Sequence, residues 1–144
     1  MYELVERKNN SRKVLIWGGL LIFAGALFLE IREGMRPHID EKLVKAANEI
    51  NSHTPIIIDS FTRLDNVIAM TGKVLQYNYT LLHTGSDQFD TTWLINTSRA
   101  SLKNRMRTSP EAAGFRKYEI ELRVNYSDSN GNHICRFTIS PGGY

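Results

Sequence analysis

Cysteine is the residue that the sequence has least of, because Cys135 is the only one among 144 residues. A single thiol excludes an intrachain disulfide and a structural zinc site built on several cysteines. An excess of one charge is also missing, since 18 lysines and arginines stand against 15 aspartates and glutamates. The part from Pro37 onward is close to neutral. This balance argues against a dedicated nucleic-acid binder, which concentrates positive charge on one face.

Recognisable reaction motifs are missing as well. The sequence contains no glycine-rich phosphate loop, no nucleophile elbow and no H-E-x-x-H helix. Asp128-Ser129-Asn130-Gly131 resembles the start of a calcium loop but lacks the closing glutamate, so it predicts a turn. We therefore expect no catalytic residue, no metal, no cofactor and no enzymatic activity. The four histidines show no metal-ligand spacing, and they are His38, His53, His83 and His133.

Long apolar runs are missing with one exception, Val14 to Leu29, which carries no charged residue. A helix of this length is about 24 Å long, and Ile31 extends it toward a hydrocarbon core of about 30 Å. The run predicts a transmembrane helix over residues 14–31. The alternative is a signal peptide cleaved after Ala26, because Ala24-Gly25-Ala26 matches a cleavage pattern. We favour the anchor because apolar residues continue through Leu29.

The flanks of this run set its expected orientation. The tail before it is rich in lysine and arginine, which favours a cytoplasmic N-terminus, although basic residues also follow the run. The expected location is the cell inner membrane, with a periplasmic or extracellular C-terminal domain. The basic residues before the run are Arg7, Lys8, Arg12 and Lys13, and those after it are Arg32, Arg36, Lys42 and Lys45.

Small residues form a stripe along the predicted membrane helix. Gly18 and Gly25 lie seven residues apart, as do Gly19 and Ala26, so all four fall on one narrow side. Such a side lets a second helix approach closely. We expect contact with the lipid bilayer and pairing with a membrane protein partner or a second copy of the chain. The alternative is that glycine and alanine are simply common in membrane helices.

The remainder predicts a small domain that begins near Pro37. Helical spacing of apolar residues predicts an amphipathic helix over 39–50. A short apolar run at 55–58 and two strands at 62–70 and 74–83 follow, and Thr71-Gly72-Lys73 joins the two strands as a hairpin. Strict alternation predicts a strand over 117–127, a turn at 128–132 and a returning strand over 134–139.

A second helix is predicted over Asp87 to Arg107. We expect its buried face to carry Phe89, Trp93, Thr97 and Ala100. Arg99, Lys103 and Arg107 recur every four residues and form a basic stripe that suits anionic headgroups or an acidic partner. The alternative is an ordinary solvated helix face.

These elements predict an α+β fold class: one N-terminal transmembrane helix, then a domain with an antiparallel sheet and helices packed on one face. The expected segments are a cytoplasmic tail 1–13, the membrane helix 14–31, a link 32–36 and the domain 37–144. The outward face of the sheet is a candidate docking surface, expected to show Glu119, Glu121, Arg123, Asn78 and Thr80.

Several short sequence segments across residues 40–140 resemble those of a group of small uncharacterised bacterial envelope proteins. They are Asn48-Glu49-Ile50-Asn51, Thr62-Arg63-Leu64-Asp65, Tyr77-Asn78-Tyr79-Thr80-Leu81 and Tyr126-Ser127-Asp128-Ser129-Asn130-Gly131. The resemblance implies an envelope location and an α+β soluble domain, with no activity.

The function expected from these features is a single-pass membrane-anchored, non-catalytic protein-binding or assembly subunit of an envelope complex. The alternative is a secreted small inhibitor or ligand-binding domain released after Ala26. Neither reading includes a nucleic-acid partner.

Overall fold

The computed structural model describes residues 38–83 and 90–144, and these residues form an α+β fold. Two long helices pack on a five-stranded sheet. A short third helix and two 3-10 turns, Pro110–Ala112 and Pro141–Gly143, complete the described elements. The helices are α1 (Ile39–Asn51), α2 (Thr91–Thr108) and the short α3 (Ala113–Tyr118). The strands are β1 (Ile56–Ile57), β2 (Thr62–Met70), β3 (Val74–Leu81), β4 (Glu121–Asp128) and β5 (His133–Ile139).

The sheet has the strand order β1-β2-β3-β4-β5 and is mixed. Three of its four strand pairs are antiparallel, but β3 and β4 run parallel, with Tyr77 opposite Val124. The predicted antiparallel sheet is therefore wrong at its centre. Parallel neighbours need a long crossover connection, and the segment that contains α2 and α3 supplies it.

The predicted fold class is also wrong in its leading element. No helix in residues 38–83 and 90–144 is long and apolar enough to cross a membrane. The longest of them, α2, carries four basic residues, Arg99, Lys103, Arg105 and Arg107, and these forbid a span. The predicted run 14–31, with Gly18, Gly19, Gly25 and Ala26, lies outside the described residues, as do the segment boundaries drawn before residue 38.

The core lies between the sheet and the two long helices. From α1 it takes Leu43, Ala47 and Ile50, so the predicted apolar face of this helix is confirmed. Three tyrosines stack at its centre, with ring centroids 6.4 Å apart for Tyr77 and Tyr79 and 5.5 Å apart for Tyr79 and Tyr126. The remaining large core side chains are Leu64, Val67, Leu75, Leu81, Leu94, Leu102, Met106, Phe115, Ile120, Leu122, Val124, Phe137 and Ile139.

The hairpin between β2 and β3 is tied to the first turn of α1. Gly72 has φ +85°, a conformation that glycine adopts without strain. The carboxylate of Asp40 accepts hydrogen bonds from the amides of Gly72 (3.3 Å) and Lys73 (2.9 Å). These backbone donors, Lys73 first, hold the pKa of Asp40 below its ordinary value of 3.8.

This contact predicts a pH dependence of stability. Because the folded-state pKa of Asp40 is lowered, its contribution is complete above the ordinary value of 3.8 and disappears as the pH falls through the lower folded value. Asp40→Asn should therefore lower the melting temperature at pH 7 and leave it nearly unchanged near pH 2. Glu41→Gln is the control, since it removes a charge from the same helical turn without touching the hairpin amides. Equal effects of the two variants at pH 7 would contradict the assignment.

The second helix turns a different face to the core than the sequence predicted. Asp90 caps α2 by accepting a hydrogen bond from the amide of Trp93 (2.9 Å). The buried residues are Leu94, Ser98, Leu102 and Met106, so the predicted face through Trp93, Thr97 and Ala100 is wrong. Ala100 is exposed, and Phe89 lies outside the described residues. A leucine and methionine ridge at four-residue spacing therefore sets the orientation of the helix, and Trp93 is only partly buried.

The strand predicted to start at Lys117 starts four residues later. Residues 113–118 form α3, and Glu119 then takes a left-handed conformation (φ 55°) that ends the helix. The amide of Ile120 donates to the carbonyl of Phe115 (3.0 Å) and closes this end. From Glu121 onward the predicted alternation is confirmed in β4, and the inward face of β5 is confirmed at Cys135, Phe137 and Ile139.

Candidate functional site

The predicted basic stripe lies along one side of α2, next to β5. The guanidinium of Arg99 lies 5.6 Å from the centre of the Phe137 ring, in a cation–π contact. Its Nε is buried and has no hydrogen-bond partner. A buried donor without an acceptor costs free energy, so this nitrogen favours an acceptor brought by a ligand.

Lys103 and Arg107 continue the stripe toward the C-terminal half of α2. The ammonium of Lys103 lies against the backbone of Gly143, where an added Cβ would come within 3.4 Å of Nζ. Arg107 is exposed and donates from Nη2 to Oδ1 of Asn104 (3.1 Å). The stripe therefore faces the turn that follows β5.

A cleft of about 460 Å³ lies between this half of α2 and the C-terminal turn. Helix side chains form one wall, and backbone without bulky side chains forms much of the other. No aspartate or glutamate side chain lines it, and its lining residues are Ala100, Lys103, Asn104, Arg107, Gly142, Gly143 and Tyr144. We call it the basic cleft.

Tyr144 holds the second wall in place. Its hydroxyl lies 3.1 Å from the carbonyl of Phe115 and 2.9 Å from that of Ile120. Burial raises the pKa of this hydroxyl, so it stays protonated and donates a hydrogen bond near neutral pH. No sequence pattern predicts this wall; the only available signal is an aromatic residue directly after two glycines.

No acidic side chain among the described residues forms an ion pair with the cations of the basic cleft. Four ion pairs occur among residues 38–83 and 90–144, and none includes Arg99, Lys103 or Arg107. The pairs are His38–Asp40, Arg63–Asp65, Lys73–Glu119 and Arg123–Glu121. An anionic group in the cleft would thus meet two cations that pair with no acidic side chain.

On the outward face of the sheet, by contrast, most polar side chains bond to one another, and Asn125 Oδ1 is a buried atom without a partner. Asp65 accepts hydrogen bonds from Nε of Arg63 (2.6 Å) and from the Thr80 hydroxyl (2.5 Å). Asn78 joins Asn66 (2.7 Å) to Gln76 (2.9 Å) across the strands. Thr80 is only 6% exposed.

Of the residues expected on that face, four lie in strands: Asn78, Thr80, Glu121 and Arg123. Glu119 instead belongs to the link before β4. Because its groups already bind one another, this face offers a partner fewer free groups than the basic cleft does.

The other side chains that could bind a metal or take part in a reaction lie apart from one another. The described parts of the chain contain no group of three or more histidine, cysteine, aspartate or glutamate side chains that could hold a metal. Burial raises the pKa of the Cys135 thiol to about 11, so it is not the reactive thiolate at neutral pH. Asp128 is buried and accepts from the amides of Asn130 (2.9 Å) and Asn132 (2.8 Å). The predicted turn is thereby confirmed.

Comparisons with known proteins relate the chain to others through its fold. No family model matches it, and no curated protein matches its sequence significantly. A candidate secreted protein from Pseudomonas aeruginosa superposes with a TM-score of 0.61 at 12% identity, over 76% of this chain and 98% of that chain. The pilotin of the Vibrio vulnificus type 2 secretion system superposes with a TM-score of 0.57 at 10% identity, over 73% of this chain and 90% of that one. The α+β domain expected from the resemblance to envelope proteins is confirmed at the level of the fold, which this chain shares with a secretion-system pilotin.

Proposed function

We propose that this domain is a non-catalytic protein-binding subunit that acts outside the cytoplasm in the assembly of an envelope complex. The observation that carries the proposal is the basic cleft, an open concavity lined by two cations and no acidic side chain. Uncompensated charge in a concave surface steers and orients a partner of opposite sign. The partner segment that fits is acidic.

The fold likeness supports the envelope part of this proposal. The domain covers nearly the whole length of a pilotin from a type 2 secretion system and of a candidate secreted protein. At about one identical residue in ten, the likeness concerns backbone architecture, so binding residues are assigned from the geometry of this chain alone.

The side chains that line the cleft suit the binding of a partner better than they suit catalysis. Lysine and arginine carry fixed charge at neutral pH, and the Tyr144 hydroxyl is occupied by two carbonyls. General acid–base catalysis needs a group that gains and loses a proton near the working pH. None of the seven lining residues supplies one.

Reversing the two charges of the cleft tests the proposal. Each reversal exchanges an exposed attraction for a repulsion, so Lys103→Glu with Arg107→Glu should weaken partner binding by about 2 kcal/mol, or about 30-fold. The measurement is the amount of partner that co-purifies with the full-length chain from native envelope fractions. The control is Lys45→Glu with Lys117→Glu, which changes the net charge equally at exposed positions outside the cleft. Equal partner recovery with both double variants would refute a role for the cleft.

A second candidate is a secreted binding domain that works free of the envelope, and the likeness to the Pseudomonas protein favours it. It requires cleavage after Ala26, so intact-mass measurement on the mature protein separates the two functions. A mass lacking residues 1–26, found in the medium, supports this candidate. A mass that includes Met1, recovered from cells, excludes it.

A further inference from the structure

Among the described residues, β5 is an edge strand of the sheet, and no strand pairs with its outer side. It is seven residues long, and its strand partner there is β4. In the described part of the chain, no backbone group of Arg136 or Thr138 hydrogen-bonds to a loop, a helix or a side chain. Such a row of free donors and acceptors is a template for another strand.

The hydrogen bonds of β4 show which groups of β5 point outward. The amide of Glu121 donates toward β3, to the carbonyl of Lys73 (2.8 Å), and the amide of Asp128 donates toward β5, to Asn132 (2.8 Å). Successive residues of a strand point to alternate sides, so the even-numbered residues of β4 face β5. Their partners in β5 are Cys135, Phe137 and Ile139. The amides and carbonyls of Arg136 and Thr138 therefore point away from the sheet.

The opposite edge of the sheet is protected. β1 is only two residues long and follows Pro55, which has no amide hydrogen. Beyond β1, the side chain of Asn51 binds both backbone groups of Val67, at 2.8 and 2.7 Å. Short strands, proline and capping side chains are among the devices that block strand addition, and β5 has none of these three. Its own irregularity, between His133 and Cys135, lies before Arg136 and Thr138.

The basic stripe follows the open edge. Arg99 lies over Phe137 in the middle of β5, and Lys103 lies over Gly143, four residues after the end of the strand. The contacts of α2 with the sheet are mainly with β5. A strand added beside β5 would thus pass these two cations on the helix-covered side of the sheet.

We infer that the edge of β5 binds an extended acidic segment of a partner protein as a sixth strand. Backbone hydrogen bonds to Arg136 and Thr138 hold the segment, and carboxylates at alternate positions pair with Arg99 and Lys103. The buried Nε of Arg99 gains the acceptor that it lacks. This inference rests on the proposed function and adds the conformation and the chemistry of the partner segment.

Amide hydrogen exchange measured by NMR tests strand addition directly. The probe is a blocked eight-residue peptide of alternating valine and glutamate, and the control peptide alternates valine and lysine. The acidic peptide should slow exchange at Arg136 and Thr138 at least tenfold and leave Phe137, which already bonds to β4, unchanged. The lysine peptide should change neither. Absence of protection at millimolar acidic peptide would overturn the inference.

Thr138→Pro supplies a second test, because it removes one outward amide while the bonds between β4 and β5 remain. It should weaken binding of the acidic peptide at least tenfold, whereas Thr138→Ala should weaken it less than threefold. Should Thr138→Pro fail to fold, the exchange measurement on the unmodified chain decides alone. Vesicles of phosphatidylglycerol that protect the same amides better than the peptide would assign the surface to lipid and overturn the inference.

The two proposals fail in different ways. Partner recovery that depends on Lys103 and Arg107 but is unaffected by Thr138→Pro refutes strand addition and leaves the protein-binding function standing. Partner recovery that is insensitive to the charge reversals refutes the function of the cleft itself.

Discussion

Phe115→Ala is expected to lower the free energy of unfolding by about 4 kcal/mol, the usual loss when a buried phenylalanine is truncated. Phe115 has no exposed surface and belongs to the core cluster, although it lies in a helix of six residues. Its carbonyl also accepts hydrogen bonds from Ile120 and Tyr144. Loss of the ring would therefore loosen the link to β4 and the wall of the basic cleft together.

Equilibrium urea denaturation at pH 7 measures this effect. Val44→Ala is the matched control, since Val44 lies on a helix but is 46% exposed, and its loss should stay below about 0.5 kcal/mol. A loss below about 1 kcal/mol for Phe115→Ala would show that α3 is not part of the cooperative core.

Asn51→Ala is expected to cost about 2 to 3 kcal/mol, because it leaves both the amide and the carbonyl of Val67 without their partner. Val67 is 1% exposed, so water cannot readily replace the lost bonds. The side chain acts here as a substitute for a neighbouring strand where β1 has already ended.

The size of this effect is checked by urea denaturation against Asn48→Ala, an exposed asparagine one turn earlier on α1. That control should be neutral or slightly stabilising, since alanine is the better helix former. Asn51→Asp keeps an acceptor for the Val67 amide but sets a carboxylate oxygen against the Val67 carbonyl, so it should also be destabilising. Equal stabilities of the two alanine variants would contradict the capping role.

Local patterning predicted most of the strands. Alternation in Leu122, Val124 and Tyr126 defined β4, and Gly72 marked the hairpin, because both signals arise within a few residues. The parallel pairing of β3 with β4 has no such local signal, since it depends on how the α2 and α3 segment crosses the sheet.

Two errors have a common physical cause. Tyr118 was assigned to a strand because it extends the alternation, yet the left-handed Glu119 separates it from β4. Helical spacing assigns Trp93 to the buried face of α2, yet Leu94 and Leu102 take the buried positions. In both cases tertiary packing overrode a periodicity that fits two registers.

Only the helix side of the candidate site was predicted from the sequence. Spacing along a helix identified Arg99, Lys103 and Arg107, but their proximity to β5 and to the turn at Gly142 and Gly143 is a property of the folded chain. The open edge of β5 likewise follows from strand order, which no stretch of sequence specifies.

Site-specific photo-crosslinking in intact cells tests the central claim most directly. A photoreactive phenylalanine derivative in place of Arg107 stands at the mouth of the basic cleft, and the same group in place of Lys45 stands on the exposed face of α1. A binding role for the cleft predicts a discrete protein adduct from position 107 that disappears with Lys103→Glu, and none from position 45. No protein adduct from position 107, or the same adduct from both positions, would contradict it.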